Sequence, residues 1–180
     1  MLSASAHKFN GPKGIGFLYI KNGTDIVSYM SGGSQERNLR AGTENVASIV
    51  GMAYALKTNV QALSENMEHV RRLEAVLLDL LYENHVAFVR NGGEKIIPGN
   101  VSLSFAGYEG EAILHRLDLL GICVSTASAC DSKITQISHV LKAIQLEEKL
   151  ARGTIRISLG KNNTIQEVRR MAEALCRILK

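Results

Sequence analysis

Apolar residues fall at strand spacing in some stretches of this chain and at helical spacing in others. Ile15, Phe17, Leu18, Tyr19 and Ile20 cluster as in a buried strand after a Ser- and Gly-rich beginning, and Asn22-Gly23 marks a turn. Ile26 to Met30 is a short second strand candidate. SGGSQERNLRAGTEN, residues 31–45, reads as one long loop, a length that is uncommon in small domains and usually functional. Asn45 then caps a helix in which Val46, Ile49, Val50, Ala53 and Leu56 recur at helical spacing.

A second helix is predicted from Ser64 to Leu81, with Met67, Val70, Leu73, Leu77 and Leu81 on one stripe and Glu65, Glu68, Arg71 and Arg72 opposite. Beyond it the elements shorten. Strands are expected at Val86 to Val89, Val101 to Phe105, Ile122 to Ser125 and Thr154 to Leu159. Helices are expected at Glu109 to Leu120, closed by Gly121, at Ser138 to Ile144, and at Ile165 to Leu179. Thr164 and Glu167 form a capping box for the last helix, whose apolar stripe is Val168, Met171, Ala172, Leu175 and Leu179. Strands alternating with helices over residues 84–180 indicate a small α/β sandwich. Residues 1–62 offer too few elements to bury a sheet on both faces and read as the end of a larger domain, with 63–180 as a second domain.

Composition narrows the function classes. The chain has 180 residues, of which 46% are hydrophobic, enough for a buried core and too many for disorder. Glu and Asp interrupt the longest apolar stretches, so no membrane span is expected, and MLSASAHKFNGPKG lacks the apolar run of a secretory signal, so a cytoplasmic location is expected. The net charge of +4 is spread along the chain, which argues against nucleic acid as partner. Three cysteines without a C-x-x-C pair make neither a disulfide framework nor a zinc site. The histidines show no ligand spacing, so no metal is expected, and His69 and His115 read as helix-surface residues.

Several residues could carry chemistry. In Ser5-Ala6-His7-Lys8, followed by closely set glycines and a strand, a partly desolvated amine would suit Schiff-base formation, and nearby N–H groups could hold a phosphate. The bland reading is a surface turn with a solvated lysine. Lys13 is followed by Gly14, which excludes a P-loop, and the glycine spacing is reversed from a dinucleotide fingerprint. Cys130 sits among small residues in STASACDS, where a thiol would be accessible, although Asp131 raises a thiol pKa. Cys123 and Cys176 fit buried positions in a strand and a helix. Arg156 alternates with apolar residues in TIRIS and either faces solvent or enters a cleft to bind a carboxylate.

Four collinear segments, SAHKFNGPKGIGFLYI, GGSQERNLRAGTEN, STASAC and SHVLKAI with TIRISLG, resemble the NifS/IscS-type cysteine desulfurases of class V of the pyridoxal-phosphate enzymes. The resemblance implies an α/β fold: the C-terminal part of a fold-type I large domain followed by the small domain. It also implies pyridoxal 5'-phosphate bound through Lys8, with Ser5 and His7 on the phosphate and Thr43 reaching the phosphate of the partner subunit in a homodimer. Arg156 would anchor the carboxylate of L-cysteine, and Cys130 would take its sulfur as a persulfide destined for an iron-sulfur scaffold or another sulfur-acceptor protein. Family members are about twice this length, and their N-terminal half supplies an aspartate for the pyridinium nitrogen, a stacking histidine and a glutamine that have no counterpart here. CDSKITQ also departs from the Cys-Thr-Ser of many relatives. The alternatives are a selenocysteine lyase or other class V enzyme, and an inactive half acting as a dimerisation or partner-binding module.

Overall fold

A computed structural model describes residues 1–93, 95–126 and 137–180. The chain divides into two units, Met1–Leu63 and Ser64–Lys180.

In the first unit β1 (Leu2–Ser5) pairs antiparallel with β2 (Gly16–Tyr19), Leu2 opposite Tyr19 and Ser5 opposite Gly16. A single 3-10 turn, Ala6–Phe9, joins them. Ala6 is fully buried, its N–H donates to the Ile15 carbonyl at 3.0 Å, and its own carbonyl accepts from Gly11 N at 2.8 Å. Gly11 is required by this closure, because a Cβ there would stand 2.9 Å from the Ala6 Cβ. Leu2–Ser5 has little strand propensity; it is extended because β2 supplies its hydrogen bonds. Ile26 to Met30, expected as a strand, is irregular, with Val27 and Tyr29 almost wholly in solvent. A strand needs a partner for its backbone groups, and the two-stranded ribbon ends at β1 and β2.

α1 (Val46–Gln61) starts where expected, with the Asn45 side chain accepting from Ser48 N at 3.2 Å. It runs past Leu56 because nothing in Lys57 to Gln61 breaks a helix, and Asn59 returns a hydrogen bond to the Ala55 carbonyl at 2.8 Å.

The second unit is two-layered. α2 (Leu63–Glu83) leads into β3 (Val89–Arg90), β4 (Asn100–Ser104), α3 (Gly110–Asp118), β5 (Ser125–Thr126), α4 (His139–Ala143), α5 (Glu148–Arg152), β6 (Thr154–Ser158) and α6 (Ile165–Ile178). The strands form one antiparallel sheet in the order β3-β4-β6-β5. Side chains alternate across a strand, so Val101 and Leu103 of β4 and Ile155 and Ile157 of β6 share one face. They pack there with Leu73, Leu77 and Leu81 of α2, Ile113 and Leu117 of α3, and the α6 stripe. The strands expected at Val86 to Val89 and Ile122 to Ser125 are two residues each and lie later, at Val89–Arg90 and Ser125–Thr126, where they find a pairing neighbour. Cys123 therefore lies outside a strand and is exposed, whereas Cys176 is buried in α6. The Thr164–Glu167 capping box forms as expected. Among the described residues, no helix is long and apolar enough to cross a membrane.

Candidate functional site

The first unit presents Lys8 on the outside of a closed turn. Ser5 precedes the turn in extended conformation, and Asn10 ends it at φ 67°. Ser5, His7 and Lys8 are exposed, and among the described residues none of their side chains is committed to a hydrogen bond or ion pair within the chain. The buried member of the turn is Ala6, and Lys8 is exposed, as in the reading of a solvated lysine on a surface turn. α1 fixes the turn from beneath: Asn59 Nδ2 donates to the Phe9 carbonyl at 2.8 Å, and a Cβ on Gly51 would meet Pro12 Cγ at 3.0 Å. Sequence reading missed Asn59; its polar side chain among Ala55 and Ala62 was the available signal.

Thr43 ends a loop that staples itself. Gln35 Oε1 accepts from Gly42 N at 3.0 Å, and a Cβ on Gly33 would lie 2.6 Å from the same oxygen. The Gln35 amide therefore fills the space glycine leaves and ties both ends of the loop together. Glu36, Arg37 and Asn38 all have positive φ, at 48°, 59° and 65°. Such strain costs roughly 1–3 kcal/mol per residue and clusters at functional sites. Thr43 itself is exposed, directly after Gly42 at φ 112°.

In the second unit Arg156 stands on the sheet face opposite the core. Its neighbours in register are Ser102 on β4 and Ser125 on β5, and the same face carries Asn100, Ser104, Thr154 and Ser158. Arg156 is exposed and is the one charge these strands place on that face. Beneath it runs a chain of hydrogen bonds. Thr154 Oγ1 donates to the Leu150 carbonyl at 3.0 Å, which obliges Ser104, 2.7 Å away, to donate to Thr154 and to accept from Asn91 Nδ2 at 2.7 Å. Asn91 also donates to Ser102 Oγ at 3.1 Å, while its Oδ1 is buried without a partner. The hydroxyl neighbours of Arg156 went unrecognised in the sequence because their side of the sheet depends on register. Cys130 lies outside the described residues.

One further expectation is corrected. His69 is partly buried in α2 rather than on a free helix surface, and its Nε2 lies 2.9 Å from the Asn163 carbonyl, so that nitrogen donates. Among the described residues, no three His, Cys, Asp or Glu side chains are grouped to hold a metal.

The donor set on the Lys8 turn suits a phosphate-bearing aldehyde: a primary amine for the carbonyl carbon, and an uncommitted hydroxyl and imidazole for the anion. Comparison with known proteins bears on which family uses such a set. The family model Aminotransferase class-V matches residues 1–171. The chain is 43% identical over 182 residues to "Cysteine desulfurase IscS" of Dictyoglomus turgidum, aligning over 100% of its own length and 46% of that protein. Identity is 44% over 184 residues to the protein of the same name from Clostridium botulinum strain Hall, with the same coverage. A solved "NifS-like protein" superposes with a TM-score of 0.86 at 39% identity, over 98% of this chain and 45% of that one. The chain thus spans about half the length of the curated relatives it matches. With the Lys8 turn, the stapled glycine loop and the Arg156 strand all inside the matched span, the chain belongs to the class-V aminotransferase family, whose members are pyridoxal-phosphate enzymes and include the IscS and NifS cysteine desulfurases.

Proposed function

We propose that this chain supplies the lysine, arginine and thiol of a cysteine desulfurase, converting L-cysteine to L-alanine with a persulfide on Cys130. The observation that carries the reading is Arg156, a single cation on a hydroxyl-lined sheet face, in a chain 43% identical to a protein named cysteine desulfurase. Residues 1–62 are read as the C-terminal portion of the cofactor-binding domain and 63–180 as the small domain.

Lys8 would hold pyridoxal 5'-phosphate through its amine, Ser5 and His7 would donate to the phosphate, and Thr43 would reach the phosphate bound by the partner of a homodimer. When bound, the cofactor supplies an electron sink next to the substrate's α-carbon. Arg156 pairs with the substrate carboxylate through two parallel N–H donors, which fixes the amino acid in position and orientation. Ser102 and Ser125 on either side keep that face polar, and among the described residues no carboxylate pairs with the guanidinium. The Cys130 thiol takes the sulfur atom: the S–S bond of the persulfide forms, the carbon–sulfur bond of cysteine breaks, and the proton balance closes with alanine as the other product. No external oxidant or reductant is needed for that transfer. β5 runs beside Arg156 and ends at Thr126, four residues before Cys130, so the chain leads from carboxylate clamp to nucleophile. A cytoplasmic location, where thiols stay reduced, and an iron-sulfur scaffold or other sulfur-acceptor protein complete the reading.

Borohydride reduction in the presence of pyridoxal 5'-phosphate should label the Lys8 peptide ahead of those carrying Lys13 and Lys21, and Lys8→Ala should remove the label. With L-cysteine and dithiothreitol, alanine should form and Cys130→Ser should abolish it. Labelling spread evenly over surface lysines would reduce the chain to a non-catalytic module. Alanine release unchanged in Cys130→Ser would reject the nucleophile.

A further inference from the structure

One row of side chains crosses the Arg156 face of the sheet. Asn91, directly after β3, donates its backbone N–H to the Ser102 carbonyl at 2.9 Å. Ser102 on β4 is in register with Arg156 on β6, and Arg156 with Ser125 on β5. The protons along this row can be assigned. A carbonyl only accepts, so Thr154 donates to Leu150 at 3.0 Å, and Ser104 must then give its proton to Thr154. Ser104 is left able only to accept from Asn91. That fixes the Asn91 amide with its Nδ2 toward Ser104 at 2.7 Å and Ser102 at 3.1 Å. In this orientation Asn91 Oδ1 is buried without a partner among the described residues. A buried orphan acceptor is unfavourable, and its retention calls for a reason.

The two serines beside Arg156 are left in different states. Ser125 commits its hydroxyl proton to the Thr126 carbonyl at 3.0 Å. Ser102 accepts from Asn91, and among the described residues its own proton goes to no acceptor. Arg156 carries donors only and cannot take it. A guanidinium and a free O–H side by side are complementary to an anion with several acceptor lone pairs. We infer that Ser102 is a second carboxylate-binding residue: its Oγ–H donates to the same substrate carboxylate that Arg156 pairs with. Asn91 is its positioning residue, because it fills the acceptor side of the hydroxyl and leaves the proton for the ligand. The orphaned Asn91 oxygen is the consequence of turning both amide N–H groups to the two serines. The inference rests on the proposed reading of Arg156 as the clamp for the amino-acid carboxylate.

L-Alanine carries that carboxylate without the reactive sulfur, so it probes the site apart from turnover. Its binding to the whole chain is followed through the Arg156 Nε–H resonance in a proton–nitrogen correlation spectrum. Ser102→Ala should raise the dissociation constant about 10-fold, the loss of one hydrogen bond to a charged group. Ser102→Thr keeps the hydroxyl and should restore binding to within about 2-fold of the parent. Ser158→Ala, two residues along β6 on the same face, should bind as the parent does. Asn91→Ala should weaken binding about 3-fold in the parent and have no further effect in the Ser102→Ala chain, because it acts only through that hydroxyl. A general loosening of the sheet would weaken both. Ser102 is only half-buried, so its variants keep the fold, which circular dichroism verifies. Three results would overturn the inference: no L-alanine response at Arg156, Ser102→Ala binding as tightly as the parent, or an Asn91→Ala effect of equal size in both backgrounds. A chain that binds L-alanine as expected but forms no alanine from L-cysteine would count against the proposed activity and leave the Ser102 assignment standing.

Discussion

Replacing Glu74 tests how the strand beside Arg156 is held in place. Glu74 sits on the core side of α2 and is buried. One carboxylate oxygen accepts from Arg90 on β3 and the other from Gly99 N at 2.9 Å. Gly99 immediately precedes β4, and its carbonyl accepts from Leu159 N at 2.8 Å, so this contact sets where β4 begins against β6. The two donors differ in their access to water. Arg90 has a side chain 36% exposed and can rehydrate, whereas the Gly99 N–H cannot. Glu74→Gln keeps one acceptor oxygen, which should turn to Gly99, and the loss reduces to a charge-assisted bond to a group that water can satisfy, about 1–2 kcal/mol. Glu74→Ala strands the Gly99 N–H, removes packed methylenes and breaks the ion pair, about 3–5 kcal/mol in all. With a urea slope of about 1.5 kcal/mol/M, the alanine variant should lower the midpoint of the second unit by about 2–3 M and the glutamine variant by about 1 M. Circular dichroism gives the midpoint, and hydrogen exchange of the peptide spanning residues 96–104 gives the local effect. Equal losses for the two variants, or an alanine variant within about 0.5 kcal/mol of the parent, would refute the reasoning.

Other outcomes follow from the same unit. Gly99→Ala should cost about 3 kcal/mol or more, since Gly99 has φ 80° and the new Cβ would lie 2.3 Å from Val70 Cγ1 and 2.8 Å from the Leu159 carbonyl; a thermal melt within 2 °C of the parent would contradict it. Leu77→Ala, at a fully buried position facing the sheet, should lose about 2–5 kcal/mol in the same urea assay. Glu167 is held below the usual carboxylate range, first by the Thr164 backbone N–H and then by Asn163. A lowered folded-state pKa means its stabilisation is fully present above the unfolded value of 4.5 and disappears as pH falls through the folded value. Glu167→Gln should flatten the acid side of a melting-temperature profile between pH 3 and 6 and leave Asn163 with one acceptor fewer; an unchanged acid limb would remove Glu167 as its source.

Local chemistry alone made α2, α3, α4 and α6 of the second unit readable, whereas the five-residue α5 was not expected. The 3.6-residue stripes of α2 and α6, the Thr164–Glu167 box and the glycine at φ 70° after α3 are all short-range features, satisfied by residues a few positions apart. The apolar runs in Val101 to Phe105 and Thr154 to Ser158 likewise marked β4 and β6. The Lys8, Thr43, Cys130 and Arg156 segments were visible as ordered motifs, because each packs its signature into a few consecutive residues.

What pairing decides was not readable. Leu2–Ser5 became a strand and Ile26 to Met30 did not, since hydrogen-bonding partners come from elsewhere in the chain and propensity cannot supply them. The serines around Arg156 reach one face only through the register of β4, β6 and β5, and a slip of one residue would turn them into the core. Glu74 looked like any helical acid until the fold brought Arg90 and the Gly99 N–H to it across the α2–sheet interface. The sequence by itself determined the longer helices, which residues are apolar and where the reactive groups stand in order. The tertiary structure decided which groups meet, because contacts between distant residues follow from the packing of the whole chain.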